Sequence, residues 1–208
     1  MTVQLMPAMS LLATVLLASV SCTPAAVGVE PGVSLELARH RAATMSDVNY
    51  RLHLRIPENQ REDIDGRLAV SFVLNDNSMP LQLDFREHAG NVLRVVTNAA
   101  ESAYSFEQEH IVIPASELAV GTNLVEIDFT AGSTSLNRNP EYLYTLFVPD
   151  RARTAFPLFD QPDLKATYEL ALDVPAGWTA MSNAPVDSVS DGDGTAGFRF
   201  HKTDRISS

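Results

Sequence analysis

One cysteine, Cys22, in 208 residues leaves no partner for an internal disulfide and no basis for a zinc site built on several thiolates. No cluster of Lys and Arg occurs, and 15 basic residues stand against 26 acidic ones, a formal charge of −11. That balance argues against a nucleic-acid partner, whose phosphates call for grouped cations. No serine sits in a nucleophile elbow and no glycine-rich phosphate loop is present. The 12 prolines and 10 glycines follow no repeat, which excludes collagen-like and linker-type chains. What is present suits a globular domain. The hydrophobic fraction is 45% and the charged fraction 20%, too apolar for a disordered chain. At this length roughly 70% of the unfolded surface can be buried, so stability requires neither a disulfide nor a metal.

Residues 1–21 carry no charged side chain and no histidine. Within them Met9 to Val20 is apolar apart from small hydroxyl residues. A helix crossing a bilayer needs roughly 20 residues, so this shorter stretch fits the core of a secretory signal peptide. Small residues, Ala18-Ser19-Val20-Ser21, lead directly to Cys22. This pattern resembles the lipobox of bacterial lipoproteins, in which the cysteine is lipidated and becomes the new N-terminus. The expectation is an exported lipoprotein, tethered to the membrane in the periplasm or at the outer membrane through Cys22; plain secretion is the alternative. Residues 22–33 then read as a tether without periodicity, expected to be disordered.

Ser34 is a good helix cap, and the stretch after it to Met45 is rich in helix formers, so one short helix is expected near residues 34–45. After Asp47 the hydrophobic period changes to two. Tyr50, Leu52, Leu54 and Ile56 alternate with Arg51, His53 and Arg55, and Leu68, Val70, Phe72 and Leu74 recur at every second position after Gly66. Further alternating runs are Leu81-Leu83-Phe85, Ile111-Ile113, Val125-Ile127-Phe129 and Tyr168-Leu170-Leu172-Val174. Turn residues separate them. Half-wet strands without interleaved helices predict an all-β fold, an antiparallel sandwich, in one domain over residues 34–208.

The densest stretch runs from Tyr142 to Ala166 and holds Arg151, Arg153, Asp160 and Asp163 among aromatic residues and prolines. On residue chemistry alone it is a long ordered loop, tied by Arg–Asp pairs and stapled by Phe156 and Phe159; such loops are often functional. Its centre, Ala152-Arg153-Thr154-Ala155-Phe156-Pro157-Leu158-Phe159-Asp160-Gln161-Pro162, resembles the Ala-Arg-Arg-x-Phe-Pro-Cys-Phe-Asp-Glu-Pro signature of the aminopeptidase N family. Met181-Ser-Asn-Ala-Pro-Val186 is similar to a turn of the same family, and Lys202 to Ser207 to the segment before its domain's closing strand. The resemblance implies a saddle-like antiparallel β sandwich, the N-terminal domain of a zinc metallo-aminopeptidase that removes N-terminal residues from peptides. In that family a Gly-x-Met-Glu-Asn strand and a His-Glu-x-x-His helix follow in a separate catalytic domain. Neither motif occurs here, so the chain is expected to be incomplete at its C-terminus, to bind no zinc and to be inactive alone. Many members carry Gln and Glu facing the substrate's amino end where this chain has Leu146 and Val148, so these two are the substrate-cleft candidates. Neither side chain can accept a hydrogen bond. A stand-alone lipid-anchored binding module is the rival reading.

The remaining features have plainer explanations. His40, His53, His88, His110 and His201 show no metal-ligand spacing and read as surface or edge residues. Asp187, Asp191 and Asp193 read as a polar hairpin turn, since the late bidentate Glu of a calcium loop is missing. Glu101, Glu107 and Glu109 read as the solvated face of one edge strand. Arg151 and Arg153 are expected to pair with Asp160 or Asp163.

Overall fold

The computed structural model describes residues 27–207. The expected signal segment at residues 1–21, Cys22 and the first part of the expected tether lie outside the described residues. No described helix is long and apolar enough to cross a membrane.

Helix α1 (Leu35–Thr44) forms where expected, with the Ser34 hydroxyl accepting from the Leu37 N–H at 3.1 Å. Only Leu37 and Arg41 of α1 are buried. The strands follow in chain order: β1 (Met45–Arg55), β2 (Asp65–Leu74), β3 (Leu81–Asp84), β4 (Val92–Thr97), β5 (Ala100–Glu101), β6 (Ser105–Glu107) and β7 (His110–Ile113). After them come β8 (Gly121–Thr130), β9 (Leu136–Arg138), β10 (Leu143–Thr145), β11 (Thr167–Pro175), β12 (Val186–Asp191) and β13 (Thr195–Phe200).

Eight strands form one sheet in the order β12-β13-β11-β1-β2-β8-β4-β5, three form a second, β3-β7-β6, and β9 with β10 make a hairpin. The two larger sheets share one core. Val70, Phe72, Val125, Ile127 and Phe129 from the large sheet meet Leu81, Leu83, Phe85, Ile111 and Ile113 from the small one. Phe85 and Phe129 touch edge to face across the gap at 5.8 Å. The alternation read in β2 and β8 is therefore the division between core and solvent.

One expectation needs correction. The large sheet is mixed, because β1 and β11 run parallel, from Asn49 beside Thr167 to Arg55 beside Asp173. Alternation records which face is wet and carries no information on strand direction, so the sequence pattern could not distinguish the two. The tether also departs from expected disorder at its end. The carbonyls of Glu30 and Gly32 accept hydrogen bonds from His110 Nε2 at 2.8 and 3.0 Å, which holds the approach to α1 against the small sheet.

Between β1 and β2, Arg138 of β9 reaches back and donates to the carbonyls of Asn59, Gln60 and Glu62 at 3.0, 3.2 and 2.9 Å, and also to that of Pro57. A guanidinium offers five donors in a fixed fork, which suits it to gathering the carbonyls of an irregular loop. This anchor sets the position of the β9–β10 hairpin.

Candidate functional site: the loop at residues 146–166 and its buried support

The loop that carries the sequence motif is built from the inside outward. Phe156, Leu158 and Phe159 are all buried, as the stapling argument requires. The Phe159 ring stands edge-on to Phe72 at 5.8 Å and lies under the Arg41 guanidinium at 5.2 Å. Its backbone N–H donates to the Tyr50 hydroxyl at 2.9 Å. Leu158 pairs in two backbone hydrogen bonds with Asp84 at 2.8 and 3.1 Å, so the loop behaves locally as an extra strand beside β3. The Gln161 amide donates to the Ala38 carbonyl at 3.0 Å and ties the loop to α1.

At the centre lies Asp84, fully buried. The Arg41 guanidinium straddles its carboxylate at 2.9 and 2.5 Å, and the Asp160 N–H donates to it at 2.7 Å. His110 Nδ1 lies 3.0 Å from Asp84 Oδ1, off the line of a good hydrogen bond. Burial by itself raises the Asp84 carboxyl, but Arg41 and His110 outweigh it and hold the group below its ordinary value of 3.8. Such a carboxylate stabilises the fold above the unfolded-state value, and the contribution disappears as pH falls through the lower folded value. Unfolding free energy should therefore decline on acidification below about pH 4, and the Asp84→Asn variant should lose part of that slope. Denaturant melts at several acidic pH values measure it; identical slopes for the two proteins would contradict the assignment.

Arg153 is buried but does not pair as expected. Its guanidinium meets Glu109 and Asp150, each at 3.0 Å, while its backbone N–H reaches Asp160 at 3.1 Å. Arg151 and Asp163 are exposed. The physical reason is direction: from the short 3-10 turn Ala152–Thr154 the Arg153 guanidinium reaches the β6–β7 turn at Glu109. Glu109 also pairs with Arg86 at 3.2 Å. The three glutamates consequently do not share one edge strand. Glu101 stands in β5 of the large sheet, bound to Arg94 at 2.7 Å, whereas Glu107 and Glu109 belong to the small sheet and its turn. His110, expected at the surface, is wholly buried. Nothing in its sequence neighbourhood signals this, because its partners Asp84 and Glu30 are remote in the chain.

The outer side of the loop is apolar and open. Phe147 turns inward onto Phe156 at 5.8 Å, so its neighbours Leu146 and Val148 point outward, 50% and 72% exposed. Tyr142, just before β10, and Tyr144 within it are each 53% exposed, with their rings stacked at 6.2 Å. The Leu146 N–H donates to the Ser135 carbonyl at 3.1 Å, and the Val148–Pro149 bond is cis. A separate concavity of about 440 Å³ lies on the wet face of the large sheet, lined by Arg51, His53, Arg67, Asp128 and Glu169. Arg67 pairs with Asp128 at 3.7 Å and His53 Nε2 lies 2.7 Å from Asp173 Oδ2, contacts that run along and across the strands.

Residues 46–208 match the family model described as Peptidase M1 N-terminal domain. Aminopeptidase N of Streptomyces lividans is 30% identical over 192 residues, covering 86% of this chain and 22% of that protein. Human glutamyl aminopeptidase is 28% identical over 174 residues, covering 71% of this chain and 18% of that one. The crystal structure of an M1 zinc metallopeptidase from Deinococcus radiodurans superposes with a TM-score of 0.61 at 19% identity, over 79% of this chain and 40% of that one. At that identity the structural likeness concerns the fold. The chain spans about a fifth of the length of these two curated relatives.

Proposed function

The chain belongs to the peptidase M1 N-terminal domain family, and on that premise we propose that it is the N-terminal domain of a zinc-dependent aminopeptidase acting on peptides. In this reading the domain supports a catalytic domain and forms one wall of the substrate cleft. The observation that carries the proposal is the exposed row Tyr142, Tyr144, Leu146 and Val148, set on a loop whose inner side is locked by Phe156, Phe159 and Asp84. Several exposed apolar side chains close in sequence on a rigid support suit a surface that meets a partner or a ligand. Leu146 and Val148 offer neither a hydrogen-bond acceptor nor a charge, so recognition of the substrate's amino group falls to the rest of the protein.

Among the described residues no three His, Cys, Asp or Glu side chains stand together as a metal site requires. No catalytic step is assigned to the described residues. The test uses the protein encoded by the whole reading frame beside residues 1–208 alone. A His-Glu-x-x-His downstream, with aminoacyl-anilide hydrolysis that chelation abolishes, is the expected result for the former. No turnover and no stoichiometric zinc is expected for the latter. Turnover by residues 1–208 alone, or a parent protein without such a helix, overturns the proposal.

The proposal extends to location. Cys22 is the lipid attachment point of an exported protein, a reading supported by the residue pattern before it. Several acyl chains at about 0.8 kcal/mol per buried CH₂ give stable anchoring. Metabolic labelling with a fatty-acid analogue should mark the natural protein and not Cys22→Ala; equal labelling of both removes the idea.

A further inference from the structure

We infer that the junction of α1 and β3 is a binding site for one water molecule, held between the Nε–H of Arg41 and the side-chain oxygen of Gln82. Both side chains are enclosed, 2% and 5% exposed, and both line a cavity of about 20 Å³ beside Thr44 of α1 and Asp76 of the β2–β3 turn. Among the described residues, neither Arg41 Nε nor Gln82 Oε1 has a hydrogen-bond partner in the protein. The first is a donor and the second an acceptor. A buried polar atom without a partner costs its desolvation in full, so folded proteins satisfy such atoms, with ordered water where no protein group reaches.

The backbone and the planar guanidinium bring the two atoms to one side. Leu81 and Leu83 of β3 belong to the core, so the alternate residues Gln82 and Asp84 share the opposite face, the one that Arg41 meets. Arg41 grips the Asp84 carboxylate with both terminal nitrogens, Nη1 at 2.9 Å and Nη2 at 2.5 Å. The remaining hydrogen of Nη2 reaches the Gln82 carbonyl at 2.7 Å. In the fixed fork of a guanidinium that hydrogen runs parallel to the Nε–H, so the Nε–H faces the Gln82 flank as well.

The cavity suits the ligand in size and in chemistry. A volume on the order of 10–15 Å³ admits one water, and buried waters occupy polar sites with two to four partners, whereas dry cavities are apolar. Here the water accepts from Arg41 Nε–H and donates to Gln82 Oε1. The Thr44 hydroxyl, on the same wall, spends its hydrogen on the His40 carbonyl at 2.8 Å and keeps lone pairs for the water's second hydrogen. Turning the Gln82 amide over only exchanges a buried acceptor for a buried donor, so a flip does not remove the need. The site lies on the Nε flank while Asp84 holds the Nη end, so this water does not stand in for the carboxylate. Gln82 is thereby a positioning residue: through the water it steadies the guanidinium that holds Asp84, which in turn accepts from the Asp160 N–H of the long loop.

The test is a high-resolution crystal structure of the whole chain, natural and Gln82→Leu, with ¹⁵N NMR of the Arg41 Nε–H in both. The natural protein should show a fully occupied water within about 2.7–3.2 Å of Arg41 Nε and Gln82 Oε1, and cross-relaxation between the Nε–H and a long-lived water. Gln82→Leu keeps the backbone carbonyl, so Arg41 should still grip Asp84 while the water and its cross-peak are lost. Gln82→Glu, which retains an oxygen at that position, should keep both. A direct Nε–H to Gln82 Oε1 hydrogen bond, a dry cavity in the natural protein, or a water that persists at full occupancy in Gln82→Leu overturns the inference. If neither variant folds, the density and the cross-peak of the natural protein decide.

Discussion

Replacing Asp84 with alanine is expected to destabilise the domain by about 3–5 kcal/mol, the range for removing one partner of a buried ion pair. The cost arises less from the lost attraction than from what remains. Arg41, 2% exposed, is left with a charge whose main partner is gone and no water to replace it. The Asp160 N–H loses its acceptor as well, so the long loop comes free of β3 on its polar side. Domains of this size are stable by about 5–15 kcal/mol, so such a loss decides whether the protein folds at physiological temperature. Asp84→Asn keeps an acceptor oxygen without the charge and should fall between the two. Urea unfolding of the three proteins measures the effect; a loss under about 1 kcal/mol in the alanine variant would mean that the site rearranges around water, contrary to the burial argued above.

Phe159→Ala should cost about 3–5 kcal/mol as well, for a different reason. Its ring is 1% exposed and packed among Phe72, Tyr50 and the Arg41 guanidinium, in the wedge where the long loop enters the core. Truncation removes the apolar transfer term and leaves a cavity that neighbouring β1 and β2 cannot close, since sheet strands are held by their ladder bonds. Phe159→Leu refills most of the volume and should lose less. Because Phe159 and Asp84 share Arg41, the double variant should cost less than the sum of the single ones. Thermal unfolding of the set tests this, and strict additivity would show that Arg41 does not couple them.

The large features were legible in the residues. Period-two runs such as Leu68-Val70-Phe72-Leu74 exposed β2 because a sheet with one wet face must sort its side chains, and Ser34 marked the start of α1 through its capping hydroxyl. The Phe156–Phe159 staple and the burial of Leu158 were also readable, since bulky apolar side chains inside a proline-bounded loop have nowhere to go except inward. Leu146 and Val148 were singled out from the motif, and the structure places both at the surface because Phe147 between them is taken up by Phe156.

Pairing choices were another matter. The Arg153 side chain was expected to pair with Asp160 or Asp163 and instead meets Glu109, 44 residues away, along with Asp150. His110 looked peripheral and is enclosed, because its contacts come from β3 and from the segment before α1. The parallel β1–β11 junction was invisible for a related reason. Hydrophobic period and local caps depend on residues within a turn or a strand of one another, so the chain determines them locally. Which charge meets which, which way two strands run and which histidine is dry depend on groups far apart in sequence, and only the closing of the two sheets around one core settles them.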